Sequence, residues 1–92
     1  MTIPAIGRIV RYRLSAVDAD AITQNRLVTG RPGNTVSEGD ALPMIIVRVH
    51  AQEAKPDSYV NGRVILDGDG PDYWARTVKQ GEIAGTFSWP QR

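Results

Sequence analysis

Hydrophobic and polar residues alternate along most of this chain, and the places where the alternation stops mark its turns. From Gly7 to Leu14, Val10, Tyr12 and Leu14 fall on one side and Arg11 and Arg13 on the other, the two-residue period of a half-buried strand. Ile9 interrupts that pattern on the polar side, which predicts a loop over it or cover on both faces. Ser15-Ala16-Val17-Asp18 then has the spacing of a capping box, with Asp in the place more often held by Glu or Gln. Ala16 to Arg26 follows without Gly or Pro, carrying Asp18 and Asp20 near its positive end and Arg26 near its negative end. Ala19 and Ile22 make a narrow apolar stripe, so one short helix is expected on the barrel edge.

Thr29 to Pro43 reads as a long loop, the kind that is often functional or mobile. Met44 to His50 is the strongest strand, with Ile45, Val47 and Val49 pointing one way and Ile46, Arg48 and His50 the other. A polar connection containing Pro56 leads to a third strand, Tyr59 to Leu66, in which Asn61-Gly62 signals a bulge or bend. Asp67-Gly68-Asp69-Gly70-Pro71-Asp72 is a turn, and Tyr73 to Val78 forms a fourth strand in a hairpin with the third. After a turn at Gln80-Gly81-Glu82, Gly85 to Pro90 is a short last strand with Phe87 and Trp89 on one face, ended or placed on an edge by Pro90.

Five short strands with one helical excursion after the first predict a mainly β fold, a small antiparallel SH3-like barrel, with an OB-like barrel as the alternative. At 92 residues the chain makes a single domain over residues 1–92, and 41% hydrophobic with 23% charged residues is a globular composition. The core is necessarily thin and leaves little room for an enclosed active site. Cys is absent, which excludes disulfides and thiolate metal sites. No stretch has the make-up of a signal peptide or a membrane span, so no membrane partner is expected.

The net charge of +1 gives no sign of a polyanion binder and makes nucleic acid an unpromising partner. Its distribution is uneven, however: residues 1–31 sum to +3, residues 32–72 to −4 and residues 73–92 to +2. Catalytic sets are missing. One His and no Cys leave no cysteine–histidine pair, and no Ser near a recognisable nucleophile motif could recruit His50, so the chain is not expected to be an enzyme. Gly30-Arg31-Pro32-Gly33 is similar to the clamp loop of KH domains but lacks the helices that loop needs, and no Lys-Ser/Thr follows to make it a phosphate loop. Asp67, Asp69 and Asp72 could hold calcium only weakly, since a hairpin turn does not supply the remaining ligands. No metal or cofactor is expected. The residues that best suit a ligand are Arg11, Arg13 and Arg31, as forked donors to phosphate, and Tyr73 or Trp74 as a stacking surface. Tyr73 and Trp74, being neighbours in a strand, must face opposite ways.

The C-terminal half, with Leu66-Asp67-Gly68-Asp69, Tyr73-Trp74, Gly81-Glu82 and Gly85-Thr86-Phe87-Ser88-Trp89-Pro90, resembles a group of small proteins of tailed bacteriophages and prophages. Those often end in a Gly-Thr-aromatic-x-Trp-Pro tail after an Asp-Gly turn, and Gly7 to Arg26, Ser37 to Asp40 and Pro43 to Val49 are also similar. Phe87 stands where Trp is usual in that tail, and the connection between helix and strand is shorter. The resemblance implies a viral protein in the bacterial cytoplasm or the virion and no assigned activity. The function expected is a non-catalytic accessory binding protein that counters host defence by sequestering a small anionic nucleotide signal or blocking a host protein. The alternative is a capsid-decorating or joining protein of the virion. A homo-oligomer also fits a thin core with an exposed edge strand.

Overall fold

In the computed structural model, which describes residues 2–30, 33–68 and 71–90, five strands form one antiparallel sheet. They are β1 (Ile9–Arg13), β2 (Ala41–Val49), β3 (Val60–Val64), β4 (Tyr73–Val78) and β5 (Phe87–Ser88), with the helix α1 (Ala16–Thr29) between β1 and β2. The order across the sheet is β4-β3-β2-β1-β5. A four-strand meander with its last strand laid back along the first is the SH3-like arrangement the alternation predicted. The sheet curls into a half-barrel. Its far sides meet where Gln80 bridges Phe87 in parallel, with the Gly81 N–H donating to the Phe87 carbonyl at 2.9 Å and the Phe87 N–H to the Lys79 carbonyl at 3.1 Å.

The concave side holds the core. Val10, Tyr12 and Leu14 from the β1 region pack with Met44, Ile46, Val60, Val64, Ala75, Val78 and Phe87, and Ile22 of α1 completes the cluster. Trp89, half-buried, packs edge-on against Phe87 with ring centroids 6.0 Å apart, and the Arg8 guanidinium lies over its ring at 4.9 Å.

Several boundaries differ from those the sequence predicts. The helix runs past Arg26 to Thr29 and stops at Gly30, whose left-handed backbone (φ 68°) lets its N–H reach the Arg26 carbonyl. The following loop is shorter than 29–43, because β2 already begins at Ala41, and Gly33 forms a bridge with Gly68. Pro43 is tolerated because its carbonyl still accepts from the Ile65 N–H at 2.8 Å. The strict alternation expected over 44–50 fails at a bulge between Ile46 and Arg48. Met44 and Ile46 face the core, and after the extra residue Val49 turns inward where the two-residue period would have put it outward. β3 and β5 are shorter than expected, the fifth strand shrinking from Gly85–Pro90 to Phe87–Ser88. Ile9 is covered on neither side: it is 55% exposed on the convex face.

Candidate functional site: the convex face of the sheet

The side chains that point away from the core share one chemistry. Arg63 is the register partner of both Trp74 on β4 and Ile45 on β2, and Ile45 is the partner of Ile9 on β1, so one row crosses the sheet as Trp74, Arg63, Ile45, Ile9. In the next row Pro43 opposes Arg11, and Arg11 opposes Ser88. Within its row the Arg63 guanidinium lies over the Trp74 ring, 4.8 Å from its centroid, and the ring stays 40% exposed.

Charge within the strands is one-sided. The strands contain five arginines (Arg11, Arg13, Arg48, Arg63, Arg76) and no acidic residue, so the other six basic residues and all ten acidic ones lie in the helix, loops and termini. The net +1 is therefore the sum of +5 on the strands and −4 elsewhere. Among the described residues no carboxylate pairs with any strand arginine. The strands thus carry a positive charge that the whole-chain sum conceals.

The concave side and the helix hold a second polar cluster, of a different kind. Asp18 is almost wholly buried. Its Oδ2 accepts the Tyr12 hydroxyl and the Ser15 N–H (2.9 Å), and its Oδ1 accepts the Tyr73 hydroxyl at 2.6 Å. The Asp18 N–H donates in return to Ser15 Oγ at 3.1 Å, which completes the capping box. Burial pushes the Asp18 carboxyl up, but the bonds from Tyr12, Tyr73 and Ser15 outweigh it and hold the group below the ordinary carboxylate value. Burial, followed by the bond to Asp18, raises the Tyr12 hydroxyl and pushes that of Tyr73 up to about 12. Three donors meet on this one carboxylate, favour its charged form and fasten the helix to the sheet.

A cleft of about 230 Å³ opens beside this cluster, between α1 and the β3–β4 hairpin, lined by Ile22, Asn25, Arg26, Leu66, Pro71 and Trp74 among others. Arg26 is committed there to structure. Its guanidinium donates to the Asn34 carbonyl and, at 3.4 Å, to the Asp67 carbonyl, while the Asn34 amide donates to the Asp67 carboxylate. His50 lies exposed just after β2, with Nε2 2.9 Å from Asn61 Oδ1. Among the described residues no three His, Asp or Glu side chains are grouped to hold a metal, and no helix is long and apolar enough to cross a membrane.

The residues singled out in the sequence thus separate. Arg11, Arg13 and Trp74 lie on the convex face, but Trp74 is three strand spacings from β1, roughly 14 Å. Tyr73 faces inward and its hydroxyl is held by Asp18, so it is not available as a stacking surface beside the arginines. Arg31, and Asp69 of the acidic turn, lie outside the described residues. Arg63 was missed: its pairing with Trp74 puts the hairpin's midpoint between positions 68 and 69, one residue before the middle of the Asp67–Asp72 turn, so symmetry about that turn would have matched Arg63 with Arg76 instead. No family model matches this chain, and no curated protein or solved structure matches it significantly.

Proposed function

We propose that the protein is a non-catalytic binding module that holds an anionic, phosphate-bearing ligand on the convex face of its sheet. In the phage setting that the sequence resembles, it would act as an accessory factor by withholding that ligand from its ordinary user. The observation that carries the reading is the segregation of charge: every charged residue within the strands is an arginine. Arginine presents a planar fork of donors to phosphate oxygens, and among the described residues no carboxylate pairs with these forks. The neighbouring Ile9, Ile65 and Trp74 give the face apolar area that a hydrated ion would not need but a nucleotide would use. Two features weigh against turnover. The buried carboxylate is occupied by its own tyrosines, and His50 sits on an exposed strand end, paired with an amide.

The test is isothermal titration against inorganic phosphate and a panel of linear and cyclic nucleotides. Heat of binding is expected with at least one nucleotide, weakened about tenfold or more by Arg63→Ala. A folded protein that gives no heat with any of them, and none with longer phosphate-bearing chains, removes the reading.

A further inference from the structure

We infer that the ligand of this face is an extended single strand of nucleic acid, lying across the sheet from Trp74 and Arg63 on β4 and β3 to Arg11 on β1. This rests on the anion-binding reading above and names its substrate class. Net charge argued against nucleic acid only because it averaged two unlike surfaces. The strands by themselves carry five arginines and no acidic residue.

Extent decides between one nucleotide and a strand. If Trp74 stacks a base, Arg11 stands three strand spacings away, roughly 14 Å, too far to serve the same nucleotide's phosphate. That span instead matches several successive phosphates of one strand. The two ends also differ in kind. At one end Trp74 offers an exposed ring with a guanidinium over it, where a base can stack on the ring or on Arg63 itself. Between them Ile45 and Pro43 form a low apolar ridge, and at the other end Arg11, with no aromatic neighbour in its row, is left to meet backbone phosphate. An acidic protein surface would satisfy the arginines but give the exposed Trp74 ring no matching role. A duplex would hide its bases from that ring. An unpaired strand uses both.

Fluorescence anisotropy of a labelled oligothymidylate of about fifteen nucleotides, a length within the usual site sizes of small barrels, tests this. Binding is expected at low salt and is expected to fall as salt rises. Trp74→Ala should weaken it about 5- to 150-fold, the loss of one base stack, while Trp74→Phe retains most of it. Arg11→Ala should lower the slope of log affinity against log salt by about 0.7. Circular dichroism shows whether each variant is folded. Heat with mononucleotides but no anisotropy change with the oligonucleotide overturns this inference and leaves the broader reading standing. Equal binding of duplex or of polyglutamate, indifferent to Trp74, also overturns it.

Discussion

The Tyr73 hydroxyl donates to Oδ1 of Asp18 at 2.6 Å, joining the first turn of the helix to a strand 55 residues further along the chain. Tyr12 holds the other oxygen, so one carboxylate ties α1, β1 and β4 together. Asp18→Asn keeps the shape but sets an amide N–H against hydroxyl or backbone donors, and is expected to cost about 2–3 kcal/mol. Tyr73→Phe removes the donor to Oδ1 while Oδ2 keeps its two, for about 1.5 kcal/mol. Urea unfolding of the two variants checks both the size and the order of the losses.

The same cluster shapes stability at both ends of the pH scale. Because the folded Asp18 carboxyl sits below its ordinary value of 3.8, its contribution is present above that value and is lost as pH falls through the folded one. Tyr73 shifts the other way, from 10.0 to about 12, so its contribution is present below pH 10 and is lost as pH rises toward 12. Unfolding free energy measured against pH should decline on both sides, and in Asp18→Asn the acid decline should flatten.

Thr77 has φ 58°, the left-handed region that a β-branched residue rarely adopts. It is held there because its N–H donates to Asn61 Oδ1 at 2.8 Å where the β3–β4 register shifts. Thr77→Gly relieves the strain at some cost in unfolded-chain entropy, for a net gain of about 0.5–1 kcal/mol. A higher melting temperature for the glycine variant is the expected result.

Gly62 allows β2 and β3 to approach without a side chain between them. A methyl group there would lie 2.5 Å from Met44 Cγ and 2.9 Å from the Ile45 carbonyl oxygen. Met44 can shift, but the carbonyl belongs to the sheet and cannot. Gly62→Ala is therefore expected to cost about 1–3 kcal/mol, with the denaturation midpoint as readout.

What could be read in advance was whatever depends on near neighbours. Val10, Tyr12 and Leu14 announced a buried face, Ser15 and Asp18 a helix start, and the opposed directions of Tyr73 and Trp74 followed from adjacency alone. The bulge at Ile46–Arg48 could not be read, because it adjusts β2 to its partner β3 and nothing within β2 records that strand. The inward role of Tyr73 was hidden for the same reason, since Asp18 is distant in sequence and near only after folding. On the convex face, Arg11, Arg13 and Trp74 were legible as outward residues. Their spacing was not, since it depends on how many strands lie between them.

Phe87 is fully buried, yet it pairs with Tyr12 near the opposite end of the chain. β1 and its arginines keep one edge unpaired until the chain reaches as far as residue 87. Closing so long a loop is slow compared with forming a helix or a hairpin. The β3–β4 hairpin can form on its own contacts, but the interior is sealed last, by a two-residue strand. A chain cut just short of Phe87 would leave that edge of β1 unpaired and the core open on that side.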